Sequence, residues 1–184
     1  MRVMDCMLIE IPEVDPTDGL YTVDDVLRLA PTRKYRFEVH GGVLRVMPPP
    51  AWRHQKIASR LERFFEDSGR VTCQGNGVKF DNHNFRIPDV LVLKRGAVVD
   101  EDSSVHAPDL FEILVEVVSP GTVDEDRLVK SKLYASADIP EYWLVERRPD
   151  GYVVLIGHRE SDVAYSWDSE IALEELLAGG GGLG

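Results

Sequence analysis

Hydrophobic residues fall along this chain in runs that switch between the period of a strand and that of a helix, and one run is interrupted by an acid. Residues 111–118 read as a strand buried on both faces, yet Glu116 stands inside it. A carboxylate in such a place is unfavourable unless something pairs with it. Residues 89–93 form a second apolar run, opened by Asp89. Residues 35–40 and 43–47 alternate about Gly41-Gly42 and predict a hairpin, stopped by Pro48, Pro49 and Pro50. Shorter strands are expected at 71–74, 78–80, 142–146 and 152–157, and 94–109 reads as a polar, acidic connection. Helical spacing appears early, where Thr22 and Asp25 make a capping pattern ahead of Val26, Leu27 and Leu29, with Pro31 closing the segment. Residues 54–67 place Ile57, Ala58, Leu61, Phe64 and Phe65 on one side of a second helix. A third helix is predicted over 124–137 and a short one over 170–177.

This alternation defines a mixed α/β (α+β) fold, a central mixed β-sheet flanked by helices. The 184 residues suit one domain with a single core. The expected boundaries are an N-terminal extension at 1–19, a domain at 20–177 and a flexible glycine-rich tail at 178–184.

At 43% hydrophobic and 29% charged residues the chain reads as globular and soluble. No apolar run approaches the roughly 18–20 residues of a membrane span, and Asp5 and Glu10 break any signal-peptide core. The expectation is a cytoplasmic protein with no membrane partner. Cys6 and Cys73 share no metal or redox spacing and read as reduced and structural. A net charge of −11 argues against a general nucleic-acid coat protein. The charge is uneven, however. Residues 28–63 carry nine bases and two acids, and residues 97–126 carry nine acids and no base. Either these are solvated faces, or they serve a site that holds a cation and meets a polyanion.

Asp89 follows Pro88 at the start of one buried strand, and Glu116 lies 27 positions later in the next strongly buried one. Two acids on adjacent strands can share Mg²⁺, which takes oxygen ligands and needs only one or two carboxylates. The alternative is that Asp89 caps a turn and Glu116 pairs with a nearby base.

The combination Ile87-Pro88-Asp89-Val90 and Leu114-Val115-Glu116-Val117-Val118 resembles the PD-(D/E)XK nuclease core. Within that superfamily it is most similar to the Uma-type restriction endonuclease family. The likeness extends to Tyr35-Arg36-Phe37-Glu38 with Gly41-Gly42, to His54, and to Ser119-Pro120 followed by Asp126, Lys130, Tyr134 and Pro140-Glu141-Tyr142-Trp143. It covers roughly residues 20–157. The resemblance implies a restriction-endonuclease-like core and Mg²⁺- or Mn²⁺-dependent hydrolysis of DNA phosphodiesters. It also implies Asp89 and Glu116 as metal ligands and catalytic acids, and a homodimer, since nucleases of this fold often pair to cut both strands.

One departure matters. The general motif places a lysine two residues after the second acid, on the same strand face, and here that position is Val118. Lys130 is the candidate replacement, in line with Asp126 and Tyr134 along one helix face. It would position the attacking water and neutralise phosphate charge. An exposed Asp126–Lys130 pair is the alternative, and Lys132 projects differently. Glu38 resembles the extra acid that this superfamily takes from an early element; otherwise it is a surface strand acid. His54, Arg53, Lys56, Arg60 and Tyr134 are candidate substrate contacts, with phosphate as the target of the cations. The bland readings are a capping histidine and a solvated basic face. Ser119 lacks a nucleophile elbow and reads as a turn cap. Trp52 and Trp143 read as packing residues. Two other functions stay open: a catalytically silent nuclease-fold module that binds nucleic acid or a protein, and a purely structural interaction domain.

Overall fold

The computed structural model describes residues 16–29 and 35–179. The N-terminal extension up to residue 15, Cys6, Pro31 and the last five residues lie outside that range. The described chain is a mixed α+β domain whose strands divide between two sheets.

The five-stranded sheet contains β1 (Arg36–His40), β2 (Val43–Met47), β4 (Gly77–Asp81), β5 (Asn84–Arg86) and β7 (Val105–His106), in the order β2-β1-β5-β4-β7. The β1–β2 hairpin turns at Gly41-Gly42, where both glycines take positive φ. The six-stranded sheet contains β3 (Thr72–Cys73), β6 (Val90–Leu93), β8 (Phe111–Val117), β9 (Glu141–Arg148), β10 (Gly151–Ser161) and β11 (Ala164–Ala172), in the order β11-β10-β9-β8-β6-β3. Its β8–β9 pair is parallel and its other pairs are antiparallel.

Helices α1 (Val23–Arg28), α2 (Trp52–Asp67), α3 (Ser131–Ser136) and α4 (Leu173–Ala178) complete the fold. The expected capping box is present on α1. Thr22 N–H donates to Asp25 at 2.8 Å, and Asp25 N–H donates back to the Thr22 hydroxyl at 3.2 Å. Helices α2 and α4 cover one face of the six-stranded sheet, where Ile57, Leu61, Phe65 and Leu176 meet Val90, Ile113, Val115 and Trp143. The opposite face, bearing Leu91, Leu114, Tyr142 and Leu144, meets α3 and Val78 of the other sheet. This second face holds the polar site.

Several elements differ from expectation. The helix predicted over 124–137 is two pieces, a π-helical turn at Glu125–Lys130 that runs into α3. β5 and β7 are short and polar, so their alternation is too brief to stand out, and β7 falls inside the predicted connection. β11 runs through Ala172 with mostly exposed, polar positions, and therefore takes the first residues assigned to the closing helix. Trp143 is buried beside Phe65, with ring centroids 4.9 Å apart, but Trp52 is 76% exposed and packs no core. Among the described residues no helix is long and apolar enough to cross a membrane.

Gly77 of β4 lies on the side of its sheet away from Val78, and a Cβ there would run into the Phe85 ring, itself buried against α1 and β1. Gly77→Ala should lower the unfolding free energy by about 1–3 kcal/mol through overpacking. Urea denaturation would show this as a lower midpoint at unchanged slope; an unmoved midpoint would mean that the ring yields freely.

Candidate active site

Asp89 and Glu116 are brought together by strand register. Val90 faces Val115 across the antiparallel β6–β8 pair, so the next step places Asp89 opposite Glu116, and Asp89 N–H donates to the Val115 carbonyl at 3.0 Å. By alternation both side chains take the face of Leu91 and Leu114. They are 6% and 4% exposed. Strand β1 crosses nearby and presents Arg36, Glu38 and His40 at alternate positions, hence on one face. Glu38 reaches the Ile87 N–H at 2.8 Å, two residues before Asp89.

The parallel crossover from β8 to β9 supplies the cation. Its π-helical turn starts behind Ser119 and Thr122, whose hydroxyls lie 3.0 Å apart, and Asp126 N–H donates to the Thr122 carbonyl at 2.8 Å. The Tyr142 hydroxyl ties the turn down by donating to the Asp126 carbonyl at 3.0 Å. Lys130 and Asp126 thereby face inward, 7% and 2% exposed. The Lys130 Nζ lies 2.9 Å from Glu116 Oε2 and 2.9 Å from Asp126 Oδ1. The pair is thus buried and joined to Glu116, not an exposed helix pair. Lys132 points to solvent.

Every carboxylate in the cluster has partners. Tyr134 donates to Glu116 Oε1 at 2.8 Å. Val117 N–H donates to Asp89 Oδ2 at 2.8 Å, His54 Nε2 lies 3.1 Å from the same oxygen, and Arg36 reaches Asp89 Oδ1 at 3.4 Å. His40 stands between two acids, with Nε2 2.7 Å from Glu38 Oε2 and Nδ1 2.8 Å from Glu125 Oε1.

Burial drives the Glu116 carboxyl up, and Asp89, Asp126 and Glu38 add to this, while the Lys130 charge beside it opposes the rise and favours the carboxylate. Burial acts against the Lys130 charge as well, but Glu116, Glu38 and Asp126 outweigh it and hold the ammonium above its usual range. For Glu38, burial pushes up, while the His40 hydrogen bond, the Lys130 charge and the Ile87 N–H win and hold it at about 2. Burial and the Glu116 charge keep the Tyr134 hydroxyl protonated, hence a donor.

Glu38, Asp89, Glu116, Asp126 and Lys130 line one cavity of about 600 Å³, together with Arg36, Arg53, His54, Arg147 and the Pro48–Pro50 run. Among the described residues no three His, Cys, Asp or Glu side chains are set to grip a metal ion unaided. The donor set nevertheless fits a hard divalent cation that keeps waters and takes substrate oxygens. It offers two facing carboxylates, and the four acids Glu38, Asp89, Glu116 and Asp126 exceed the charge of Lys130 and the half-buried Arg36.

Of the residues singled out from sequence, Glu38, Asp89, Glu116, Lys130, His54 and Arg53 line this cavity. Three others do not. Tyr134 is fully buried behind Glu116 and has no surface to offer a substrate. Lys56 stands in solvent over the Trp52 ring, 5.0 Å from its centroid. Arg60 is engaged by Glu174 of α4 through contacts of 2.7 and 2.6 Å. Sequence reasoning missed Arg36, His40, Glu125 and Arg147. The first two were visible in principle, because Arg36 and His40 flank Glu38 at strand spacing.

The architecture is a nuclease fold. A solved structure described as a putative nuclease belonging to DUF820 from Anabaena variabilis matches with a TM-score of 0.62, at 15% identity, over 85% of this chain and 97% of that one. The family described as "Putative restriction endonuclease" (Uma2) matches residues 23–179, and the chain belongs to it. Membership supports a nuclease function. No curated protein matches the chain.

The Glu38 carboxyl, at about 2 against an ordinary 4.5, contributes stability that is present above pH 4.5 and lost as the pH falls toward 2. Glu38→Gln should therefore be less stable than the wild type near pH 6 by on the order of 3 kcal/mol. Urea unfolding across this range should show the gap closing on acidification; a constant gap would contradict the ionised Glu38.

Proposed function

We propose that this chain is a divalent-metal-dependent nuclease that hydrolyses phosphodiester bonds in DNA at the cavity described above. The observation that supports it best is the convergence of Glu38, Asp89, Glu116 and Lys130 from four separate elements on one buried spot. Asp89 and Glu116 would hold Mg²⁺ or Mn²⁺. When bound, such a cation lowers the pKa of a water and neutralises charge on phosphate oxygens.

The remaining roles follow from the contacts. Lys130 is held charged by the acids around it, so it has no lone pair with which to act as a base. Its ammonium instead donates to the attacking water and to a phosphate oxygen, in a place from which bulk water is largely excluded. It does from the helix what Val118 cannot do from the strand. Glu38 draws Lys130 toward the site electrostatically. Tyr134 fixes the Glu116 carboxylate, and the Val117 N–H and His54 fix that of Asp89. Arg53 is placed to meet phosphate at the rim.

A second reading, a nuclease-fold module that binds without cutting, is favoured by the existing pairing of every acid with an internal donor. Calorimetry with Mg²⁺ or Mn²⁺, with and without DNA, separates the two, because a silent module gives no metal-binding heat. For the nuclease reading, plasmid DNA, single-stranded oligonucleotide or both should be cut in the presence of either metal. Asp89→Ala, Glu116→Ala and Lys130→Ala should each slow cleavage by about 10²-fold or more. Cleavage that persists in all three variants would remove these assignments.

A further inference from the structure

We infer that DNA enters this cavity as an unpaired strand and that Trp52 stacks on one of its bases. This rests on the nuclease reading for the identity of the polymer, and it adds the class of substrate.

The first observation is depth. Asp89 and Glu116 keep only 6% and 4% of their surface, at the floor of a cavity of about 600 Å³. That is the size of a small-molecule pocket. A duplex presents its phosphates on a stiff, convex surface and cannot follow them into such a recess. An unpaired strand has free backbone torsions and can lead a nucleotide inward, as enzymes that act on extruded nucleotides require. The walls suit this. Pro48–Pro50 and Tyr152 offer rigid apolar surface to a sugar or a base.

The second observation is charge at the mouth. Arg53 of α2 and Arg147 of β9 both line the cavity, both are exposed, and neither has an ion-pair partner among the described residues. They stand free to take the phosphates on either side of an inserted nucleotide.

The third is Trp52. A lone exposed hydrophobe needs no explanation. Trp52, however, is 76% exposed, opens α2 directly before Arg53, and carries the Lys56 ammonium 5.0 Å from its ring centroid. An aromatic plane among cations beside a cleavage site is the composition of single-strand binding surfaces. There, bases stack on the ring, and the cations follow the backbone. One site suffices for one strand, so this substrate does not call on a pair of chains.

Fluorescence anisotropy on the Glu116→Gln protein, at one salt concentration, tests the inference apart from cleavage. The probes are a labelled short DNA single strand and the blunt duplex of the same sequence. The single strand should bind at least about tenfold more tightly than the duplex. Adding Trp52→Ala should weaken single-strand binding about fivefold or more without moving the duplex Kd. Trp52→Phe should restore most of the loss, because it keeps an aromatic plane. Equal affinity for the two probes would overturn the inference, as would indifference of single-strand binding to Trp52→Ala. A shift from dimer to monomer on sedimentation of Trp52→Ala would assign this surface to a second copy of the chain and overturn it as well. Plasmid cleavage by the wild type alongside equal binding of both probes would leave the nuclease reading standing and remove only the unpaired strand. Failure to bind or cut any DNA would remove both.

Discussion

The site depends on one buried ammonium. Lys130 is in contact with Glu116 and Asp126 and lies in the field of Glu38, and all three acids are nearly sealed from solvent. Carboxylates so placed repel one another and lose their hydration, and a single cation within reach of all of them is what makes their assembly tolerable. Each acid comes from a different element: Glu38 from the five-stranded sheet, Glu116 from the six-stranded sheet, Asp126 from the crossover. The charge that stabilises the cluster therefore also joins these parts of the fold. The arrangement leaves an excess of negative charge, which suits a divalent cation.

The backbone explains how a lysine outside the strand motif comes to stand there. A parallel β8–β9 pair needs a crossover, and here the crossover leaves the strand end within a few residues of Glu116. The π-helical turn gathers Asp126 and Lys130 on the buried side, and the Tyr142 hydroxyl holds it against β9. π-helical turns often mark functional sites. In this one the turn, together with α3, delivers both the lysine and, through Tyr134, the hydroxyl that orients Glu116.

Much of this was legible in the chain itself, for a physical reason in each case. The acid inside the apolar run at 111–118 announced its own need for a partner, and the hairpin glycines and the apolar stripe of α2 are strong local signals. What escaped depends on contacts remote in sequence. Arg60 looked like part of a free basic face because Glu174, its partner, lies 114 positions away. His40 carries no motif, and only the fold brings Glu125 to its other side. β5, β7 and β11 are short or mostly polar, so no hydrophobic period marks them. Trp52 was misread because a tryptophan is usually inside, and its exposure is a property of where α2 begins.

The central claim is that the acids around Lys130 form a cation site. Anomalous diffraction from crystals soaked in Mn²⁺ tests it most directly. The account predicts a peak within bonding distance of both Asp89 and Glu116, with the Lys130 ammonium beside it. The absence of a peak there, or binding of the ion elsewhere with Lys130 still paired to Glu116 and Asp126, would contradict it.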